Sequence, residues 1–406
     1  VCRGEILITF IPVKKSLNKL QNTYCLLISK YPRLYLAAVS LLALVGFVYV
    51  LAFPLVTLVS LANILQAVAS GITDNWHQIL TWTSIMILSG IVTYRAARLK
   101  IAPPSGLTLS EDKAPELFGQ VRVLHARYKR PEIRRIVITA RHEVDIIKTP
   151  RWVLPIWSSN TIVIGLPVLQ SLSPQQLDCM VARRIGQFSK RDNLLTNWLY
   201  QLRQAWQQIR AATIKNKATG IEPLTWFFGL YAPLYSGVSA YAASLDELHA
   251  DSYAMQLYND QEVLDMVTAD ALCRWYLEKR YWPAVYKISA AGKKALPAPH
   301  SKMASAIRTN LKGEKLPILI REMLQHERRW NEALPSFKSR IENIGHNKPR
   351  VPDFSGETAG THYLGKSLGG IITVIDKLWR TALINKVKRQ RRQRGFRAAS
   401  SQVSSA

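Results

Sequence analysis

The longest uncharged stretch of this chain runs from Leu34 to Thr73, and it is apolar as far as about Ile64. A helix needs about 20 apolar residues to cross the hydrocarbon core of a bilayer. A signal peptide has a much shorter apolar region, and a run of this length does not suit the core of a water-soluble protein. The stretch therefore predicts a transmembrane helix.

A second uncharged run, residues 75–94, is shorter and more polar but still long enough to span a membrane. We therefore expect a transmembrane hairpin over residues 34–97. Lys and Arg flank the hairpin on both sides, whereas the loop between the two runs contains Asp74 and no basic residue. The positive-inside rule then predicts a multi-pass protein of the cell membrane with its large domain on the cytoplasmic side. Residues 1–33 would form a basic cytoplasmic segment.

The chain is strongly basic, with 54 Lys and Arg against 27 Asp and Glu and a net charge of +27. Such an excess favours an acidic partner: lipid head groups, nucleic acid or an acidic protein. The four cysteines form no C-x-x-C pair, so neither a thiolate zinc site nor a disulfide framework is indicated. Hydrophobic residues make up 48% of the chain, which excludes a disordered protein.

The part of the chain that follows the hairpin predicts a linker at residues 98–110 and an α+β domain over residues 111–380. A capped helix begins near Ser110 and ends before Pro131. Short β-like runs bounded by Pro and Ser follow it, and the rest has the pattern of helices. The expected strands are 136–139, 144–147, 152–154 and 161–164. The order of helix, small sheet and helical array is typical of an α+β fold.

Residues 223–245 form another uncharged stretch, rich in Trp, Phe and Tyr. A third transmembrane span is one interpretation, but a single span would separate Arg183 from Glu247 across the bilayer. A two-span hairpin would need about 40 residues. A helix of the cytoplasmic domain that is buried or touches the membrane surface is the better interpretation, because Tyr and Trp suit interfacial positions.

Residues 181–192 have the frame of a zinc-peptidase helix, A-H-E-x-G-H-F-S-x-x-D. Residues 247–251 are similar to the motif E-x-x-A-D, and residues 334–341 are similar to H-P-x-x-x-x-R-I. With the strand and turn at 162–177, these segments make residues 105–380 resemble the membrane zinc metallopeptidases related to the CAAX prenyl protease and HtpX. The resemblance implies a mainly helical, gluzincin-like metallopeptidase domain with a small sheet, preceded by a two-helix transmembrane hairpin.

In that family two His on one helix face and a later Glu bind Zn²⁺, and the Glu between the two His activates a metal-bound water. The resemblance places Arg183 and Gln187 at the two His positions and Arg184 at the Glu position. Glu247 falls at the third ligand, and Asp251 at a residue that orients it. Because an arginine stays protonated and repels a cation, we expect no intact catalytic residue, no metal and no cofactor. Active relatives carry zinc.

A guanidinium would then stand in place of the metal. We expect Glu247, and Asp251 in the same cluster, to face Arg183 or Arg184, so that charge-assisted hydrogen bonds hold two helices together. The alternative is that both arginines extend to solvent and that Glu247 lies on the surface. The histidines are isolated or lack a second His at ligand spacing, and we interpret them as structural or surface residues.

Residues 381–406 predict a basic, disordered tail. Seven of the twelve residues from 386 to 397 are Lys or Arg, and none is acidic. Each would contribute about 1 kcal/mol near an anionic membrane surface. The residues expected to contact lipid head groups are Lys386, Lys388, Arg389, Arg391, Arg392, Arg394 and Arg397. A solvated tail is the alternative.

The combined features predict a membrane-anchored metallopeptidase-like protein that is catalytically inactive and acts in binding or regulation at the membrane. Its expected partners are the lipid bilayer, anionic lipid head groups and a membrane protein or a peptide, the peptide along the strand near residues 160–166. The first alternative is an active zinc metalloendopeptidase with non-standard ligands. The second is a basic nucleic-acid-associated membrane protein, although nothing beyond charge favours nucleic acid.

Overall fold

The structure is a computed structural model that describes the chain from Lys30 to Val403 with several internal gaps. The gaps are residues 129–132, 134, 190–193, 217–218, 291–296, 314, 327–331 and 347–348. The predicted basic segment at residues 1–33 therefore lies almost entirely outside the described residues. Side chains from residue 386 onward also lie outside the description, and with them the seven basic residues predicted to contact lipid.

The two predicted apolar helices are present. Helix α1 (Pro32–Ala69) and helix α2 (Trp76–Ala97) are long and apolar enough to cross a membrane. The hydroxyl of Thr57 donates to the hydroxyl of Ser89 at 2.9 Å, which joins the two helices midway along the hairpin. With 38 residues, α1 is about 57 Å long, so it extends well beyond the length that a bilayer core requires.

A small mixed sheet of four strands follows the hairpin. Its strands are β1 (Leu107–Leu109), β2 (Arg135–Thr139), β3 (Val144–Pro150) and β4 (Ser158–Gly165), and helix α3 (Pro115–Tyr128) connects the first two. The spatial order is β1-β2-β4-β3; β2 and β4 run parallel, and the two outer pairs are antiparallel. Strand β1 lies within the predicted linker, since three residues are too few for an alternating pattern to be recognised.

The prediction of a strand at residues 152–154 is wrong, because these residues belong to the loop that joins β3 to β4. The backbone amide of Arg151 donates to the carbonyl oxygen of Trp157 at 2.9 Å and closes this loop. Pro155 within it lacks the amide hydrogen that a strand ladder requires. The loop buries Val153 and leaves Trp152 and Trp157 exposed.

The described residues that follow the sheet are mainly helical, so the predicted α+β class with a mainly helical domain is confirmed. The helices that follow β4 are α4 (Leu166–Ser171), α5 (Pro174–Ser189), α6 (Leu194–Lys215), α7 (Glu222–Val238), α8 (Ala240–Ala254), α9 (Asp260–Tyr276), α10 (Trp282–Ala290), α11 (Pro299–Asn310), α12 (Lys315–Gln325), α13 (Phe337–Asn343), α14 (Ala359–Leu364) and α15 (Ser367–Val403). A π-helical turn, Leu277–Tyr281, joins α9 to α10.

Two boundaries differ from those predicted. The uncharged stretch at residues 223–245 is divided between α7 and α8, which meet at Ser239. The predicted disordered tail is helical as far as Val403, since α15 continues through it. Lys, Arg, Gln and Ala have high helix propensity, and this segment contains many of them.

Two separate apolar cores hold these elements. The first packs the sheet against α3, α5 and α9, with Ile146, Ile162 and Ile164 fully buried. The second packs α1 against α6 and α7 around Trp206 and Phe228. The first half of α1 is therefore part of the folded domain rather than only a membrane anchor.

Candidate functional site

The site lies where α5 faces α8. Ser173 caps α5, because its hydroxyl accepts a hydrogen bond from the backbone amide of Gln176 at 3.3 Å and the Gln176 side chain accepts one in return from the Ser173 amide. An apolar row on α5 packs into the first core and fixes the rotation of the helix. That rotation places Arg183, Arg184 and Gln187, all buried, toward α8.

Arg183 is held by two acidic residues of α8. Its Nη2 donates to Oε2 of Glu247 at 2.6 Å and also to the Glu247 backbone oxygen at 3.0 Å. Its Nε donates to Oδ1 of Asp251 at 2.5 Å. The Arg183 side chain is only 4% exposed, so these charge-assisted bonds are shielded from water.

Arg184 occupies the other carboxylate oxygen of Glu247. Its Nη1 donates to Oε1 of Glu247 at 2.7 Å and to Oε1 of Gln187 at 2.8 Å. Its Nε donates to the backbone oxygen of Val144 at 2.9 Å, which ties α5 to the edge strand β3. The carboxylate of Asp145 lies 3.9 Å from the same Nε. The structure therefore brings both arginines, and not only one, to Glu247.

Gln187 makes the third link between the two helices. Its side-chain amide donates to Oδ2 of Asp246 at 2.6 Å, and Oδ1 of Asp246 accepts a hydrogen bond from Thr196 at 3.4 Å. The backbone oxygen of Gln187 accepts a hydrogen bond from Asn197. The side chains of α5, α6 and α8 are thus joined in one buried polar cluster.

Arg340 on α13 completes the cluster on the far side of Asp251. Its Nε and Nη2 donate to the two oxygens of Asp251 at 2.9 and 2.8 Å, a bidentate pair. Its Nη1 lies 3.8 Å from Asp270 of α9, which in turn contacts Nε2 of His142 at 2.8 Å. The ionic network therefore continues from α5 through α8 and α13 to α9.

The acidic groups of the site fall into two classes of pKa. Burial raises the pKa of a carboxyl group, but at Glu247 the two arginines outweigh it and lower the pKa to about 2. Burial is likewise outweighed at Asp251, where Arg183 and Arg340 lower the pKa. Asp246 forms no salt bridge with the described residues, and burial raises its pKa to about 7 although Gln187 and Arg184 act in the opposite sense. Glu247 and Asp251 are thus ionised at neutral pH, whereas burial raises the pKa of Asp145 to about 6 although Arg184 acts in the opposite sense.

The residues present do not fit a catalytic zinc ion. Zinc requires ligands with free lone pairs, whereas arginine offers only donors and a positive charge. Both carboxylate oxygens of Glu247 already accept hydrogen bonds from arginines. The amide oxygen of Gln187 accepts from Arg184 as well. A cation at this point would meet two guanidinium groups and no unoccupied ligand.

The sequence singled out five residues here, and the structure brings all five together: Arg183, Arg184, Gln187, Glu247 and Asp251. Sequence reasoning missed Asp246, Asp145 and Arg340. Arg340 lies in the segment similar to H-P-x-x-x-x-R-I, and Asp246 directly precedes Glu247. Their position in or beside recognised motifs was the available signal. Nothing in the sequence pointed to Asp145.

The prediction that a peptide would bind along residues 160–166 is not compatible with the sheet. These residues belong to β4, which pairs with β2 on one side and with β3 on the other. Its backbone groups are therefore already used in the ladder, and a peptide has no strand edge to join there. Strand β3 is the edge strand beside it.

The buried histidines of the domain have structural partners. Nε2 of His142 contacts Asp270, and Nδ1 of His300 contacts Asp376 at 2.8 Å. Among the residues that the structure describes, no group of three His, Cys, Asp or Glu side chains is placed to hold a metal ion. Cys179 and Cys273 are buried free thiols whose pKa is raised by burial.

Comparison of the chain with models of known protein families, with curated proteins and with solved structures gives no match.

Proposed function

We propose that this protein is a membrane-anchored, metallopeptidase-like protein that does not hydrolyse peptides and acts by binding or regulation at the membrane. One observation carries the proposal. Arg183 and Arg184 hold both carboxylate oxygens of Glu247, the residue at the position of a zinc ligand in the resembling peptidases. In this proposal the two guanidinium groups take the place of the metal ion.

The arrangement of the helices supports the peptidase-like part of the proposal. In the resembling peptidases the motif helix and a later helix with Glu and Asp enclose the metal. Here α5 and α8 face each other in the same chain order and contribute side chains to one buried cluster. A gluzincin-like origin explains why charged residues cluster inside the domain, where they are costly unless they are paired.

The loss of hydrolysis follows from the chemistry of the replacements. Hydrolysis by this class of enzyme needs a metal-bound water and a general base. The resemblance puts Arg184 at the position of the base, and the neighbouring acids outweigh burial and raise its pKa above the already high value of an ordinary arginine. It cannot accept a proton. The cluster is instead suited to hold α5, α8 and α13 in one fixed arrangement.

The membrane part of the proposal rests on α1 and α2. Each is long and apolar enough to span a bilayer, and their outer surfaces expose many Leu, Val and Ile side chains. Basic residues flank the hairpin, which favours a cytoplasmic position for the large domain. The basic end of α15 would contact anionic head groups of the same leaflet. The bound partner would be a membrane protein, a peptide or the lipid itself.

The proposal is tested on the purified full-length chain in detergent. Metal analysis after incubation with Zn²⁺ and removal of the excess should find no stoichiometric zinc. Casein should stay intact in the same preparation, and Glu247→Gln should leave both results unchanged. One zinc per chain together with casein cleavage that Glu247→Gln abolishes would instead establish an active peptidase with non-standard ligands.

A further inference from the structure

We infer that the large domain is seated in the head-group layer of the bilayer through one defined face, which we call the interfacial face. It comprises the β3–β4 loop (residues 151–157) and the adjoining ends of α6 and α7 (residues 213–216 and 219–230). The inference rests on the proposed insertion of the α1–α2 hairpin. It adds which part of the domain touches lipid and at what depth.

The contacts between α1 and α7 show how the domain is placed along the hairpin. The hydroxyl of Tyr35 donates to the backbone oxygen of Val238 at 2.8 Å, and the hydroxyl of Tyr49 donates to that of Pro223 at 3.0 Å. Helix α7 therefore runs antiparallel to the first half of α1. Its first turn is level with Tyr49, and the rest of α7 lies farther from the hairpin turn.

The end of α2 lies at the same level. Gly220, just before α7, abuts Ile91 and approaches Arg95 of α2 so closely that a β-carbon at Gly220 would collide with Ile91. Leu99 lies two residues beyond the end of α2. It is buried in the same core as Val153 of the β3–β4 loop. Gly220 thus lies at the level at which α2 ends, and the hydrogen bond from the Gln208 side chain on α6 to the backbone oxygen of Lys148 at 3.0 Å directs the β3–β4 loop toward the same end of α6.

Helix length gives the depth of this level. About 20 residues cross the hydrocarbon core, and the hairpin turn lies at residues 70–75. Counted from that turn, the opposite boundary of the core falls near residue 49 of α1 and near Arg95 of α2. The interfacial face therefore coincides with the boundary between acyl chains and head groups on the side of the domain.

The side chains exposed on the interfacial face are those that prefer this boundary. On α7, Trp226 is 81% and Leu230 72% exposed, and in the β3–β4 loop Trp152, Ile156 and Trp157 are 52–61% exposed. Trp is enriched at membrane–water interfaces, where one end of the ring is apolar and the other end is hydrated. A cleft of about 670 Å³ opens between α6 and α7 beside Trp226.

Basic side chains and continuity with the apolar surface of the hairpin point to lipid as the occupant. Arg98, Arg151 and Lys215 are exposed on or beside the interfacial face, where they would meet phosphate groups of anionic lipid. The exposed apolar surface is also continuous with that of the hairpin, where Leu88 and Ile91 are exposed on the side of the hairpin turn. The lipid leaflet on the side of the domain would therefore cover these tryptophan side chains.

The test uses the full chain with Cys2→Ser and Cys25→Ser, reconstituted into vesicles of phosphatidylcholine and phosphatidylserine. Cys179 and Cys273 are buried and escape labelling. A single added cysteine carries an environment-sensitive fluorophore, and the quenchers are lipids with a nitroxide near the head group, for positions 157 and 226, and lipids with a nitroxide deep on the acyl chain, for position 58. The reporters on the interfacial face are Trp157→Cys and Trp226→Cys. Leu58→Cys reports insertion of the hairpin, and Lys338→Cys, which is exposed on α13, is the control in water.

We expect labels at positions 58, 157 and 226 to show blue-shifted emission and to lose most of it to the quencher lipids, while the label at 338 keeps its emission. Quenching at 58 without quenching at 157 and 226 would overturn the inference and leave the anchoring intact. Absence of quenching at 58 would overturn both the inference and the proposed membrane insertion.

Discussion

Arg183 binds Glu247 twice through one nitrogen, at 2.6 Å to the carboxylate and at 3.0 Å to the backbone oxygen. The side-chain contact fixes the charge pair, and the backbone contact fixes the height of α8 against α5. The other carboxylate oxygen of Glu247 is held by Arg184 at 2.7 Å. Glu247 of α8 is therefore the residue to which both cations of α5 bind.

Replacement of Arg183 by alanine should destabilise the domain strongly. The change would leave Glu247 with one cation and Asp251 with Arg340 alone, all in a buried setting. Removal of one partner from a buried ion pair costs about 3–5 kcal/mol, because the remaining charge is uncompensated. The free energy of unfolding, measured by denaturant titration in detergent, should fall by about this amount for Arg183→Ala.

The matched control is Arg122→Ala. Arg122 pairs with Glu111 on the surface, where their side chains are 64% and 53% exposed. Exposed ion pairs contribute less than about 1 kcal/mol, so this variant should unfold almost like the parent chain. Equal stability of Arg183→Ala and Arg122→Ala would mean that the buried cluster does not hold the domain together.

Because of Asp246, we expect the free energy of unfolding to fall as pH rises from about 4 to 7. Burial raises the pKa of Asp246 in the folded chain to about 7, against about 3.9 in an unfolded chain. Between these values the folded state binds a proton that the unfolded state has lost, and stability therefore declines with increasing pH. The slope from this group is about 1.4 kcal/mol per pH unit, and it vanishes above the folded pKa.

Asp246→Asn separates this effect from the rest of the chain, because asparagine keeps the size and does not titrate. Its stability should be flatter than that of the parent chain over the same pH range. Glu247 acts in the opposite sense, since its lowered pKa contributes stability that is lost as pH falls from about 4 toward 2. Identical pH profiles of the parent chain and Asp246→Asn would show that Asp246 is ionised throughout.

At Gly46 the contact between α1 and the domain leaves no room for a larger side chain. A β-carbon at Gly46 would lie 2.8 Å from Cζ2 of Trp206 and 3.0 Å from Cε1 of Tyr231, both buried rings that cannot move freely. Gly46→Ala should therefore cost about 1–3 kcal/mol by overpacking. The midpoint of thermal unfolding, followed by Trp fluorescence, should fall accordingly.

Gly90→Ala in α2 is the control, since its new methyl group would be 3.9 Å from the nearest atom, Cγ2 of Thr57. Alanine has the higher helix propensity, so this variant should match or slightly exceed the parent chain in stability. A similar loss in both variants would indicate that α1 does not pack on Trp206.

The paired arginines and acids were predictable from the sequence because each lies at a fixed position within a short motif. That Arg183 or Arg184 would face Glu247 was expected from the resemblance to the peptidase motif. Arg340 and Asp145 were not predictable as members of the cluster, because their contacts depend on how α13 and β3 pack in three dimensions. Sequence separation carries no information of that kind.

The hairpin was predictable as two apolar helices, but its packing on the domain was not. Val39 is fully buried against the domain, whereas Leu41 nearby on the same helix is 66% exposed. Val39 faces the protein and Leu41 faces the outer surface, but both are apolar. The amino-acid composition of the helix therefore does not distinguish these two surroundings. The same limit hid the division of residues 223–245 into a helix that packs on α1 and a helix that carries Glu247.

The central claim, that Arg183, Arg184 and Gln187 stand at the metal position of a peptidase-like site, is tested most directly by restoring the ligands. The full-length variant Arg183→His, Arg184→Glu, Gln187→His should bind one zinc per chain and should unfold at a higher temperature with zinc than with chelator. Adding Glu247→Gln should weaken both effects strongly. A folded triple variant that binds no zinc and shows no zinc-dependent change in unfolding temperature would contradict the claim.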